Sequence, residues 1–381
     1  MNKYARVVGG ADKHSVLLAR GLRDRGHDVA FLATDHGQLE WHDGEFVRCS
    51  VVGETRDQIG FFTGGRVAGT AMWNHEAASA MRRLIRTFKP DLVHSHKLYP
   101  QLSVAPIAVA SRAGIPVIQT AHDYEGISAS PYDPTGSWLD ADEARLPYRV
   151  LNTATFAARR FARSNFISSW VSVSRYVAEA YARHGIRSIV LPNFVEDGDG
   201  YGAVGFDQRD GIVYAGTLTS AKGAQDAVEL ARRLPDVSVT IAGDGDLRGF
   251  VAASSERLPN LSWLGRIPGD EMRNLLSHAR VAIVPSRCDD AGPMIAVEAM
   301  AAGTPIVAYA RGGLSEYVTD SGAGVLADGV QQLATLSADL QGDKERWTQH
   351  ADAGRRAAGS RHSLREYLVA LEDFYASRIG L

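Results

Sequence analysis

Between positions 281 and 313 the chain reads VAIVPSRCDDAGPMIAVEAMAAGTPIVAYARGG, and two carboxylates, Asp290 and Glu298, stand eight positions apart on either side of Gly292 and Pro293. Proline suits a first helical position, because its fixed φ fits the turn and its missing N–H would find no partner there. A helix entered at that point offers unpaired N–H groups, those of Met294 and Ile295 among them, and partial positive charge, which together seat an anion such as a phosphate. Two acids beside such a seat make sense if they hold hydroxyl groups around the phosphate. Upstream, AGTLTSAKG sets Lys222 at the end of a turn shaped by Gly216 and Gly223, where its ammonium can meet a departing diphosphate as a point charge. The plainer reading of Lys222 is a surface lysine. In DLVHSH, residues 91–96, His94 and His96 alternate onto one strand face, which makes a two-histidine metal site conceivable, but the sequence suggests no third ligand. His122 and Asp123 follow the apolar run PVIQTA, where they either serve a ligand or simply close a strand. Asp197 with Asp199, and Asp244 with Asp246, imitate an Asp-x-Asp metal pair but read as a solvated linker and a turn.

The elements that must position these groups follow from apolar runs and breakers. Residues 281–284 predict a buried strand, 289–292 a polar loop, the next segment a helix ending near Gly303, and 305–309 a second strand. This is a strand–loop–helix–strand unit, and open parallel sheets bind ligands at the carboxyl ends of their strands. Further strands are expected at 29–32, 46–52, 91–96, 116–121, 171–174, 189–192, 212–214, 237–242, 261–265 and 324–327. Helices are expected at 74–88, 156–166, 175–184, 224–234 and 270–279. The remainder reads as helical, with a capping box at Ser363 and Glu366 ahead of a final apolar stripe through Tyr367, Leu371 and Tyr375. Residues 36–73 read as glycine-rich loops around one strand, and 126–149 as an extended loop suited to a lid or an acceptor wall. Arg159, Arg160 and Arg163 could press on anionic lipid or a pyrophosphate-linked acceptor, although a solvated helix face is the plainer reading.

Near the start, only Val7 and Val8 form an apolar pair before Gly9 and Gly10, whose freedom lets backbone approach a ligand at the head of the following helix. A doubly wound domain needs a central first strand, and Asn2 and Tyr4 already stand where a post-strand segment belongs. The expectation is therefore a chain that begins one strand late.

Together these motifs resemble the retaining glycosyltransferases of family 4, also called glycosyl transferases group 1. The signature there is a Glu, seven residues, a Glu, then EAMAAGTPIVA and a GG-x-x-E stretch. Here Asp290 and Glu298 hold the spacing, and Gly312, Gly313 and Glu316 complete it. The first acid is one methylene shorter than usual, and Thr217 stands where the family has an Arg before Lys222. The resemblance spans nearly the whole chain and implies an α/β GT-B fold: two Rossmann-like doubly wound domains facing an interdomain cleft. Residues 1–192 would bind the acceptor, 193–360 the nucleotide sugar, and 361–381 would form a helix crossing back to the first domain. The implied reaction moves a sugar from a nucleotide-diphosphate donor, a UDP- or GDP-sugar, to an acceptor hydroxyl with retention, in the biosynthesis of glycans, glycolipids or other glycoconjugates. His122, Lys222 and Asp290 would be catalytic. Gly9, Gly10, Thr217, Arg266, Gly292, Met294, Ile295 and Glu298 would contact substrate, Arg266 near the base and Glu298 on the ribose. No metal or other cofactor is implied. No side chain is an obvious covalent nucleophile, in keeping with a leaving phosphate that takes the acceptor proton on the same face.

Bulk properties narrow the alternatives. A chain of 381 residues is too long for one ordinary core, so two domains are expected. Up to residue 192 there are 23 Lys and Arg against 18 Asp and Glu, and beyond it 18 against 26, so the halves carry +5 and −8. The basic half leaves room for a phosphate-bearing, lipid-linked or peripheral membrane contact, whereas a glycan or small-molecule acceptor needs no such charge. A nucleic-acid partner is not expected, because no dense basic stripe exists. Two cysteines, Cys49 and Cys288, make neither a disulfide framework nor a metal cluster. With no apolar run of about 18 residues and no leader-like start, the cytoplasm, with or without attachment to the membrane's cytoplasmic face, is the expected compartment. Two rival functions share the fold: a sugar-nucleotide epimerase and a non-catalytic nucleotide-sugar-binding protein. A dinucleotide oxidoreductase is disfavoured, since no G-x-G-x-x-G with a following acid is present.

Overall fold

The computed structural model describes residues 1–34, 45–50, 69–135, 146–197 and 204–380. The described chain divides into two compact units, Met1–Leu191 with Tyr367–Leu381, and Pro192–Glu366. Both are α/β with wholly parallel sheets.

In the second unit six strands form one sheet: β7 (Asp210–Ala215), β8 (Val239–Ala242), β9 (Leu261–Trp263), β10 (Ala279–Val284), β11 (Ile306–Tyr309) and β12 (Gly324–Ala327), in the spatial order β12-β11-β10-β7-β8-β9. Buried on both faces, these strands read as continuous apolar runs rather than alternating ones, as parallel sheets do. The order reverses between β7 and β10, which pair in register with Val281 opposite Ile212 and Ala282 opposite Val213. That reversal is the topological switch point of a doubly wound sheet, where such folds place ligands. The helix Met294–Ala302 is apolar nearly all round and buried nearly all round, as a helix between a sheet and further helices must be. It ends where Gly303 takes φ +62. Gly354 lets the helix Lys344–Ala358 lie close against it, since a Cβ there would stand 3.3 Å from the Met300 Cα.

In the first unit β3 (Val93–Ser95), β4 (Val117–Ala121), β5 (Ser169–Ser172) and β6 (Ser188–Val190) form a four-stranded sheet, while β1 (Ala30–Thr34) and β2 (Glu45–Cys49) form a separate pair. The helix Gly10–Asp24 precedes β1, and the helix His75–Thr87 is capped by Asn74, whose side chain accepts from the Ala77 N–H at 2.9 Å. The end of the chain packs here through Tyr367, Leu368, Leu371 and Tyr375.

Residues 1–9 carry a single bridge, from Tyr4 to Thr34. Several expectations need correction. The segment expected as loop through Arg149 turns helical at its end, because the helix Leu146–Asn165 begins there with Pro147 in its first turn, where a missing N–H is harmless. Residues 136–145 of the expected lid, and most of the 36–73 loops, including Val51 and Val52 of the expected strand, lie outside the described residues. Pro293 is the cap rather than the first residue of its helix, with ψ 130.

Candidate functional site

The site residues expected from sequence divide between the units: Gly9, Gly10 and His122 belong to the first, and Thr217, Lys222, Arg266, Asp290, Gly292, Met294, Ile295 and Glu298 to the second. In the second unit all but Glu298, which lies within a helix, sit in or just after the loops that leave the carboxyl ends of β7, β9 and β10.

The loops after β7 and β10, at the switch point, are tied together. Backbone N–H groups of Arg287 and Cys288 donate to the Ala221 carbonyl at 2.8 and 3.3 Å. Gly223 has φ +73, and a Cβ there would fall 1.9 Å from the Pro285 carbonyl oxygen, so only glycine allows this approach. The Tyr214 hydroxyl, at the end of β7, donates to the Thr217 carbonyl at 3.0 Å and shapes the turn that carries Lys222. As a result Lys222 Nζ meets Asp290 Oδ2 at 2.6 Å, and the Ser286 hydroxyl donates to the same oxygen at 2.9 Å. Burial opposes the lysine charge, but the Asp290 carboxylate outweighs it and holds the ammonium above its ordinary pKa, so Lys222 stays charged. The lysine side chain keeps 33% of its exposure and Asp290 only 7%. Burial pushes the neighbouring Cys288 thiol up to about 12, which keeps it protonated and unsuited as a nucleophile.

Gly292 is closely packed: a Cβ there would lie 2.7 Å from the Tyr317 hydroxyl, while its carbonyl accepts from Asn193 Nδ2 at 2.6 Å. Gly312, at φ +54, presses on the backbone of Asp289 and Asp290. Just beyond, the first helical bond runs from Ala296 N–H to the Pro293 carbonyl at 3.1 Å, so the N–H groups of Met294 and Ile295 lie ahead of it without a backbone partner among the described residues. Glu298 is 7% exposed on an otherwise apolar helix, a placement that packing alone does not call for. Thr217 and Arg266 are exposed, Arg266 just past β9.

In the first unit His122 stands past the end of β4, its Nε2 3.0 Å from His96 Nδ1, with the His14 ring edge-on at 4.7 Å. Burial, reinforced by the charge of neighbours, lowers His122 to about 3, so the ring is neutral. His94 and His96 do share a face, stacked at 4.5 Å, but both His94 nitrogens are engaged, one by Tyr375 and the other by Thr120 Oγ1 at 2.7 Å. His94 therefore offers no free ring nitrogen to the two-histidine site that the sequence made conceivable. Among the described residues, three rings do bring ligand atoms within 4.8 Å of one another: His14, His96 and His122. His14, from the first helix, was not singled out in the sequence because only the fold brings position 14 to position 122. The His96–His122 contact has hydrogen-bond length, which accounts for that pair without an ion.

Gly9 caps its helix with its N–H donating to Asp12 Oδ2 at 3.0 Å, while Asp12 Oδ1 accepts from Asn2 Nδ2 at 2.7 Å. Asp12, missed in the sequence, thus fixes the double-glycine turn and occupies the Gly9 N–H. Lys97 bridges Asp123 at 2.7 Å and Glu125 at 3.2 Å. The cavity beside these groups holds about 70 Å³, room for a few waters and not for a sugar ring. Two of the three arginines expected on a basic face turn inward: Arg159 Nε donates to the Glu125 carbonyl at 3.0 Å and Arg163 Nη1 to the Gly126 carbonyl at 2.6 Å. No described helix is long and apolar enough to cross a membrane.

Comparison with known proteins adds independent observations. The family model Glycosyltransferase Family 4 matches residues 8–198, and Glycosyl transferases group 1 matches 205–357. Glycogen synthase of Mycobacterium tuberculosis is 27% identical, covering 94% of this chain and 87% of its own length. Among solved structures, sucrose-phosphate synthase from Thermosynechococcus elongatus superposes with a TM-score of 0.74 at 16% identity, over 100% of this chain and 96% of the other. The Anabaena protein HepE in complex with UDP-glucose superposes with a TM-score of 0.69 at 17% identity, over 99% and 98%.

Proposed function

The chain belongs to glycosyltransferase family 4 and has the GT-B architecture of two Rossmann-like domains, and from that premise we propose how its residues serve transfer of a sugar from a nucleotide-diphosphate donor to an acceptor hydroxyl with retention. The observation that carries the reading is the meeting of Lys222 and Asp290 at the switch point of the second unit, 2.6 Å apart and immediately ahead of a helix N-terminus. In this reading the donor diphosphate lies over the N–H groups of Met294 and Ile295, the first turn of the Met294–Ala302 helix. As the sugar–phosphate bond breaks, negative charge grows on the leaving phosphate. The ammonium of Lys222 and the helix terminus are already aimed at it, so little reorganisation is required.

The Lys222–Asp290 pair refines what each group does. Asp290 holds the ammonium in place with help from Ser286, and both contacts fall on Oδ2. The arriving diphosphate competes for the same ammonium, and Asp290 then turns to donor sugar hydroxyls. Glu298, one helical stretch further, takes the ribose hydroxyls, and Arg266 borders the base. The neutral ring of His122 suits a hydroxyl rather than an anion, which supports a role on the donor sugar. The first unit takes the acceptor, and the leaving phosphate accepts the acceptor proton. No metal is needed, because lysine and helix terminus supply the positive charge. UDP-glucose, which HepE holds, is the first donor to try, with a GDP-sugar as the alternative.

Thermal-shift measurement against UDP, GDP and ADP, each with its sugar, identifies the base, since a ligand bound only by the folded form raises the melting temperature. NMR of the products then settles the reaction. We expect free nucleoside diphosphate and a product with the donor's anomeric configuration. An inverted product, or epimerised sugar formed without acceptor, would overturn the reading.

A further inference from the structure

Lys222 and Asp290 are not the only side chains that join the loops after β7 and β10. Asp226 follows Lys222 by four positions and stands in the first turn of the helix Ala224–Arg233, while Arg287 precedes Asp290 by three. The two meet fork to fork: Arg287 Nε donates to Asp226 Oδ2 at 2.7 Å, and Nη2 donates to Oδ1. Two parallel charge-assisted bonds fix direction as well as distance, which a single bond does not. The Tyr309 hydroxyl, at the end of β11, bonds to the same carboxylate. Asp226 thus ties the helix after β7 to the loop after β10 and to the end of β11, and its charge suits the first turn of a helix.

Burial and role separate this pair from Lys222 and Asp290. The Asp226 side chain keeps only 8% of its exposure, so its carboxylate has little water to turn to and holds on to its partner. The backbone of Arg287 is held as well, since its N–H donates to the carbonyl of Ala221, the residue before Lys222, at 2.8 Å. Nothing in the donor-site reading asks these groups to move. The Lys222–Asp290 contact, by contrast, has to open when the diphosphate arrives, because the ammonium then serves the phosphate and Asp290 turns to sugar hydroxyls. At that moment the two loops lose the tie between those side chains. A catalytic charge on a loosened loop loses much of its effect, since a misplacement of about 1 Å can lower a rate by about 10².

We propose that Asp226, through its bidentate pair with Arg287, is a positioning residue for Lys222: the pair keeps the loops after β7 and β10 in register while the Lys222–Asp290 contact is open and the diphosphate is leaving. The inference rests on the donor-site reading given above and adds to it the group that keeps the ammonium aimed during the step. Neither Asp226 nor Arg287 is assigned a contact with the donor. A clamp of this kind acts only through the residue that it positions. Its removal should therefore lower kcat while Lys222 is present and have little further effect once the ammonium is gone.

A double-mutant cycle tests this, because only side chains that act together depart from additivity. The full chain is compared with Asp226→Asn, Lys222→Ala and the double variant. Asparagine keeps the size of the side chain but cannot form the charged fork. Turnover is read as nucleoside diphosphate released at saturating UDP-glucose, or at the GDP- or ADP-sugar that the parent chain turns over. Asp226→Asn should lower kcat about tenfold or more in the parent and by less than about twofold in the Lys222→Ala chain. Arg287→Gln, which breaks the pair from its other side, should repeat both results, and it supplies the test by itself if the Asp226 variant does not fold. Parent-like kcat in the folded variants, or an equal loss with and without Lys222, would overturn the proposal and leave the donor-site reading standing. Near-normal kcat in Lys222→Ala alone would overturn that reading, and the proposal with it.

Discussion

At the residue scale, the account rests on charges whose states are set by their surroundings. Lys222 has its pKa raised by Asp290, so its charge is present throughout the ordinary working range, and the stability it contributes is lost only as pH rises past about 10.4 toward the raised value. Activity should therefore show no titration of this group between pH 6 and 9. Replacing Asp290 with Asn removes the main influence that holds the ammonium's pKa up and leaves burial, the largest influence, to lower it. Asp290→Asn should cut turnover by about tenfold or more and bring an alkaline limb down toward pH 9, read from a pH–rate profile. A profile identical to the parent's would show that the pair does not matter. Glu298→Ala should chiefly weaken nucleotide binding, by about 1.5–3 kcal/mol for charge-assisted bonds to hydroxyls, as measured by calorimetric titration.

Buried imidazoles make the opposite prediction. Burial lowers His122 to about 3 and His362, whose ring lies 2.8 Å from the Asn193 carbonyl, to about 4. An unfolded histidine binds its proton near pH 6.5, so the unfolded state gains protons first as pH falls. The stability each neutral ring contributes is present above pH 6.5 and is lost as pH drops toward 4 and 3, on the order of 3 kcal/mol per ring. The melting temperature should be flat from pH 7 to 9 and fall below 6.5, with a shallower fall in His362→Gln. A flat profile down to pH 4.5 would contradict this.

At the scale of elements, the two loops at the switch point are held by glycines that no other residue can replace. Gly223→Ala meets both a left-handed φ of +73 and the Pro285 carbonyl, so it should cost about 2 kcal/mol or more. It should also separate Lys222 from Asp290, and donor affinity should fall together with the melting temperature. Gly26→Ala makes a fair comparison, since Gly26 has φ +94 but no atom within 4 Å of an added Cβ; strain alone should leave donor binding untouched. Much of this layer was legible in the sequence. The strand–loop–helix–strand stretch falls within about two residues of where apolar runs and breakers put it, because burial on both faces leaves uninterrupted runs and Gly303 marks the stop. The contacts between elements were not legible. Lys222 and Asp290 are 68 positions apart, and a sequence does not display which loop tip reaches which. Helix 146–165 was hidden at its start by Pro147, which elsewhere signals a loop. The inward turn of Arg159 and Arg163 was hidden because an amphipathic basic helix reads alike whether its arginines meet water or loop carbonyls.

At the scale of the whole molecule, each unit has a polar group that organises its interior, and neither could be read from local pattern. In the second unit Arg209 is 1% exposed. It donates to the carbonyls of Val204, Leu276, Ala279 and Ala302 and to Thr304 Oγ1, with its guanidinium over the Trp347 ring at 5.1 Å. It gathers the start of β10, the end of the Met294–Ala302 helix and the Lys344–Ala358 helix around one planar fork. Arg209→Lys, which keeps a charge but not the fork, should lower stability by about 3 kcal/mol or more, as a broken buried network does. A drop under about 1 kcal/mol in denaturant unfolding would deny the arginine that role. In the first unit the four-histidine cluster at the ends of β3 and β4 plays the comparable part, assembled from positions 14, 94, 96 and 122.

The central claim is that Lys222, positioned by Asp290 at the switch point, stabilises the departing diphosphate. Turnover of Lys222→Ala at saturating donor tests it most directly, because a group that acts on developing charge affects kcat more than binding. The account predicts a fall of about 10² or more in kcat, larger than any accompanying loss of donor affinity. Near-normal turnover in the alanine variant would contradict it.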